Sequence, residues 1–172
     1  MRRFLIALVS LAALSGCMQN VPQETSASTA EVVPGKSYVD SATAGILFNN
    51  ICLDTMPSFK VEQVAQLNTM FRQHPETGTY YHKNLDLSVK VQKHGNGKAC
   101  SMVFSSRKNP MELAIGMSAL PAIHSGSSNP TVMVGQDGSA SVQLARGAEF
   151  TFIATGRNGG RNYYRAALIV PR

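Results

Sequence analysis

Leu85-Asp86-Leu87-Ser88-Val89-Lys90-Val91 alternates apolar and polar side chains with period two, the pattern of a strand with one buried face. The turn-forming His94-Gly95-Asn96-Gly97 follows, and residues 99–104 read as the second arm of a hairpin. This hairpin decides the fold class. Before it the apolar residues recur at helical intervals, and after residue 130 they recur at strand intervals.

Upstream, Asp40 or Ser41 can cap a helix that carries Ala44, Leu47, Phe48, Ile51 and Cys52 on one face. Residues 54–57 break that pattern. Ser58 can cap a second helix with Val61, Val64, Ala65, Leu67 and Phe71 on its apolar side. It ends by His74-Pro75, because proline disfavours helical geometry in the residue before it. Downstream, Asn109-Pro110-Met111-Glu112 supplies a cap, a proline at the first helical position and an acid in the first turn. The helix runs to about Leu120 and stops at Pro121. Strand-like runs occupy residues 131–135, 139–145, 148–155 and 162–170, with Gln136-Asp137-Gly138, Arg146-Gly147 and residues 156–160 at the turns. No internal repeat is present. The expectation is an α+β fold, with two N-terminal helices and one short middle helix packed on a largely antiparallel sheet of about six strands.

The N-terminus has a different character. Arg2 and Arg3 precede an apolar run over residues 4–14, which is shorter than the roughly 20 residues a helix needs to cross a bilayer. Leu14-Ser15-Gly16-Cys17 closes the run. This segment resembles the lipobox signal of bacterial lipoproteins, over the first 17 residues only. The resemblance implies that residues 1–16 are removed and that the Cys17 thiol takes the lipid, the thiolate being the nucleophile. Several acyl chains would make that attachment effectively permanent. Met18 is not Asp, which in this class favours the periplasmic face of the outer membrane. Residues 18–38 are rich in Ser, Thr, Ala, Gln and Pro and read as a flexible tether. Residues 39–172 then form one globular domain of ordinary size.

With Cys17 assigned to lipid, Cys52 and Cys100 remain as an even pair in an oxidising compartment. Their bridge would close a loop of about 49 residues and contribute on the order of 4 kcal/mol by chain entropy. Buried free thiols or an accessible redox pair are the alternatives, although no C-x-x-C is present. The formal net charge of +6 falls to about +4 once Arg2 and Arg3 are removed. A modest positive excess suits an anionic lipid or polymer, and an exported chain seldom meets nucleic acid. No Trp is available for a sugar-stacking platform.

His74, His82, His94 and His124 lack close ligand spacing, and the Met residues fall mostly on apolar faces, so neither metal nor cofactor is expected. His124-Ser125-Gly126-Ser127-Ser128 offers an imidazole and hydroxyls without a G-x-S-x-G elbow. Two stretches look like contact surfaces. Thr79-Tyr80-Tyr81-His82-Lys83 gathers aromatic and basic groups, although a solvated strand edge would have the same composition. Arg157, Arg161 and Arg165 surround a glycine-rich turn, where planar guanidinium forks can grip carboxylate or phosphate and can equally serve solubility.

The leading expectation is a non-enzymatic binding or accessory module, tethered to the membrane through Cys17. It would contact an envelope protein or an anionic polymer through Tyr80, Tyr81, Arg157, Arg161 and Arg165. The alternative is a small envelope hydrolase using His124 with Ser125 or Ser127.

Overall fold

The computed structural model describes residues 36–126 and 128–172. The signal segment, Cys17, the tether up to residue 35, and Ser127 lie outside the described residues.

The first helix, α1 (Ser41–Phe48), starts where Asp40 Oδ1 accepts the Thr43 backbone N–H at 2.9 Å. It runs on into a π-helical turn, Asn49–Leu53, that buries Ile51, Cys52 and Leu53. After a 3₁₀ turn at Val61–Gln63 come α2 (Ala65–Met70) and the short strands β1 (Phe71–Gln73) and β2 (Tyr80–His82). The hairpin of β3 (Leu87–His94) and β4 (Gly97–Ser106) follows, and then α3 (Pro110–His124). The chain finishes with β5 (Val132–Val134), β6 (Ala140–Gln143), β7 (Glu149–Asn158) and β8 (Arg161–Val170). All eight strands join one sheet in the order β1-β2-β3-β4-β8-β7-β6-β5, and every neighbouring pair is antiparallel.

Register explains the core. Met102 on β4 lies opposite Val89 on β3 and Ala166 on β8, and Ala166 lies opposite Phe152 on β7. Cross-strand partners share a face, so this row and the parallel row of Cys100, Leu168 and Phe150 form one apolar surface. Helices α1 and α3 cover it with Ala44, Leu47, Phe48, Leu113 and Met117, all buried. The Phe48 and Phe150 rings meet edge to face with centroids 5.4 Å apart. A disulfide joins Cys52, at the end of the first helical segment, to Cys100 in the middle of β4. It closes a sequence separation of 48 and staples the helical layer to the sheet.

The α+β expectation needs correction, because the domain is strand-rich, with eight strands rather than about six. The second helix predicted over residues 58–73 is mostly absent. Val64 takes extended geometry (φ −77°, ψ 112°), leaving a six-residue helix, and Phe71 is extended again (φ −120°, ψ 163°). Phe71, spaced as a helical residue, reaches the core from β1 instead. Pro75 favours extended geometry just upstream, and the His74 N–H bonds the Thr79 carbonyl at 2.8 Å to turn β1 back onto β2. The third helix continues through Pro121 to His124, past the expected stop at Leu120. Proline forfeits one intrahelical bond, but the apolar side that carries Leu113, Met117 and Pro121 stays buried.

Two turns depend on glycine. Gly159 and Gly160, both at positive φ, form the two-residue connection between β7 and β8. Gly138 (φ 77°) packs under α3, where an added Cβ would come within 2.5 Å of Pro110 Cβ.

Candidate binding surface

The alternation that turns Met102 and Phe104 inward turns their neighbours toward the opposite side of the sheet, which carries no helix among the described residues. One transverse row there reads Arg72, Tyr81, Ser88, Val103, Arg165 and Ile153 across β1, β2, β3, β4, β8 and β7. The next row reads Lys90, Ser101, Ala167, Thr151 and Ser141. Tyr81 and Arg165 are three strand spacings apart, about 15 Å. Small hydroxylated and alanine side chains floor the surface between the longer basic ones. Beyond them, Met133, Ser141, Thr151 and Ile153 border a shallow hollow of about 430 Å³.

A polar cluster anchors one end of this face. The Tyr163 hydroxyl donates to Asp86 Oδ2 at 2.8 Å. Arg161 Nη1 donates to the same oxygen at 3.2 Å and to Ser105 Oγ at 3.4 Å. The Asp86 side chain is 6% exposed and that of Arg161 18%, so the pair is largely withdrawn from water. Leaving the Asp86 charge alone would be costly there. Burial, reinforced by the bond to Asp86, pushes the Tyr163 hydroxyl far above its ordinary pKa, so it stays a donor. The Tyr38 ring carries the Arg107 and Arg161 guanidinium carbons, each 4.4 Å from its centroid.

The cluster lies where the chain enters the domain. The Ser37 N–H donates to the Asn84 carbonyl, the Asp86 N–H to the Ser37 carbonyl, and the Val39 N–H to the Ser105 carbonyl, at 2.9–3.0 Å. His82 supports the turn between β2 and Asp86. Its Nδ1 accepts the backbone N–H groups of Asn84 at 3.1 Å and Leu85 at 3.0 Å. A ring nitrogen that accepts must be unprotonated, so the neutral ring carries its hydrogen on Nε2. Burial, with a smaller contribution from the Lys36 charge, lowers the pKa of His82. Lys36 donates its ammonium to the His82 carbonyl. Burial also lowers the Lys36 pKa, against the pull of Asp86.

The charges on and around this face are lopsided. Lys36, Arg72, Lys90, Arg107, Arg161 and Arg165 stand against Asp86 and Glu149, a surplus of four positive charges. Such a face can hold an anion by Coulomb attraction and forked hydrogen bonds, with Tyr81 adding contact area.

The residues singled out in the sequence divide between the two sides. Tyr81, Arg161 and Arg165 belong to the open face. Tyr80, opposite Val89, packs against the core, and Arg157, opposite Asn162, projects from the helix-bearing side at the hairpin tip. Arg146 lies at the other end of β7 from Arg157. His124 Nε2 lies 3.0 Å from the Asn49 amide oxygen, and Ser125 is buried just beyond α3. Among the described residues, no group of three or more His, Cys, Asp or Glu gathers as a metal site. A hollow of about 580 Å³ at the β3–β4 turn and the C-terminus, lined by Pro57, Lys98 and Pro171 among others, includes none of the residues singled out.

Tyr38 and Arg72 escaped the sequence reading, and nothing in it joined Asp86 to Tyr163. The two are 77 positions apart, and each was read only within its own segment. The available signal was the alternation itself, which assigns Asp86, Ser88 and Lys90 to one common face.

Comparison with known proteins yields one match: residues 1–17 fit the model of a prokaryotic membrane lipoprotein lipid attachment site. No curated protein and no solved structure matches the chain. The domain with the basic open face is thus carried by a lipid-anchored lipoprotein of the bacterial envelope.

Proposed function

We propose that this lipoprotein is a non-enzymatic binding module, held at the membrane through Cys17, that presents the open face of its sheet to an anionic envelope partner. The observation that carries the reading is the gathering of Arg72, Lys90, Arg161 and Arg165, with Tyr81, on the side of the sheet that no helix covers among the described residues. Met18 after the lipidated cysteine supports the periplasmic face of the outer membrane as its place. The residues up to 35 act as its tether.

Photo-crosslinking in intact cells tests the reading. A photoreactive residue at Tyr81 should give discrete adducts, and one at the exposed Ile115 of α3 should give none. Adducts of equal yield from both positions would refute it.

A further inference from the structure

We propose that the open face docks on the anionic headgroups of the same bilayer that holds Cys17, so that the domain lies on the membrane and does not project from it. The proposal rests on the binding-module reading and names its partner. Three observations converge on it.

The first is where the tether ends. The chain enters the described domain at Lys36, and Tyr38, two residues later, lies beneath the guanidinium groups of Arg107 and Arg161 at the rim of the open face. Only 18 residues separate Cys17 from Lys36, so even a fully extended chain holds that rim within about 70 Å of the bilayer. The basic face is therefore the part of the domain from which the anchor departs. Its effective concentration against the surface that carries the anchor is set by that short span and not by diffusion.

The second is the distribution of charge. Residues 18–35 contain Glu24 and Glu31 and no Lys or Arg, so the tether brings no basic residues of its own to the surface. Positive charge instead begins at Lys36, and the open face with its rim holds a surplus of four positive charges. Basic groups held within a Debye length of an anionic surface each add about a tenfold or smaller gain in partition.

The third is the character of the floor. A flat headgroup layer is met by a broad surface rather than by a closed pocket. The serine and alanine side chains of the Lys90 row leave the longer basic groups standing above them. Exposed Met133 and the hollow beside Ile153 offer an apolar margin that can enter the boundary between headgroups and acyl chains.

The test uses the full lipidated protein in proteoliposomes. Because the chain has no Trp, Tyr81→Trp places a single fluorophore on the open face and Ile115→Trp places one on the helical side. Energy transfer to dansyl-labelled headgroups is then compared in phosphatidylcholine vesicles and in vesicles with 30% phosphatidylglycerol. The expected result is strong transfer from the Y81W protein in anionic vesicles only, reduced several-fold by 0.5 M NaCl. R72E/R165E in the Y81W protein should lower the docked-to-free ratio at least tenfold, and the I115W protein should show weak transfer throughout. Equal transfer from Y81W and I115W, or no dependence on anionic lipid, overturns the proposal.

A second arm titrates the same vesicle-bound proteins with polyphosphate. If Y81W gives no lipid transfer but binds polyphosphate in a manner lost in R72E/R165E, the lipid proposal is wrong and the basic-face reading stands. Failure of both arms overturns both.

Discussion

The two faces of the central sheet are made by the same strands and do opposite things. On β4, Cys100, Met102 and Phe104 point under the helices, and Ser101, Val103 and Ser105 point away. On β8, Tyr164, Ala166 and Leu168 are core, whereas Arg161, Tyr163, Arg165 and Ala167 line the other side. The covered face is held by area and shape, through interlocked aromatic rings and a disulfide that binds the helical layer to it. The open face is held at one end by a few directional bonds around Asp86 and otherwise carries Arg72, Lys90 and Arg165, which make no ion pair among the described residues. On the proposed reading, stability and recognition fall to alternate residues, so substitutions should separate the two properties.

The largest effect is expected from the covered side. Phe150→Ala removes a fully buried ring from under Phe48 and should lower stability by about 3–5 kcal/mol, read from chemical denaturation. If the comparison holds, the fraction of this variant that remains folded binds as wild type does.

Asp86→Asn probes the polar end of the open side. It removes the partner of Arg161 while nearly preserving shape, and because Arg161 is partly exposed it can rehydrate, so the expected loss is about 1–3 kcal/mol. The same change deletes a negative charge from the face and should tighten anion binding. A variant that lost stability and affinity together would blur the distinction between the faces.

His82 gives a smaller, pH-dependent effect. Its folded pKa lies below the ordinary value of about 6.5, so below that pH the unfolded chain takes up a proton that the folded chain refuses. Stability at neutral pH should be lost progressively as pH falls through about 6.5 toward the folded pKa. His82→Gln should flatten that slope between pH 7 and pH 5 in thermal melts. An unchanged slope would remove His82 as the source.

Period-two alternation made the long strands legible, and the ends of β3, β4, β6, β7 and β8 fall near the boundaries read from sequence. It failed for β1, whose Phe71 continues the helical spacing of Val64 and Leu67, and for β2, whose Tyr-Tyr-His shows no alternation of apolar and polar residues. Val61, Leu67 and Phe71 satisfy helical spacing, yet they reach the core from a 3₁₀ turn, a short helix and a strand. Apolar spacing records that a residue is buried, and several backbone paths meet it equally well.

The proposed binding surface was half legible for a related reason. Local clustering pointed to Tyr80, Tyr81 and the three arginines, but parity along the strand decides which side each takes. Parity sends Tyr80 away from Tyr81, and the β-bulge between Ala154 and Gly156 turns Arg157 to the side opposite Arg165. The Asp86 cluster depends on pairings across 75 and 77 positions, which register alone creates.

The most direct measurement of the central claim compares two charge reversals of equal size on opposite sides. R72E/R165E alters the open face. K93E/R157E makes the same change in net charge on the helix-bearing side. Both substitute exposed or half-exposed positions and should leave stability within about 1 kcal/mol of wild type. Crosslinked adducts from Tyr81 in intact cells should disappear in R72E/R165E and persist in K93E/R157E. Equal losses in the two variants would mean that net charge and not the open face governs binding, and would contradict the account.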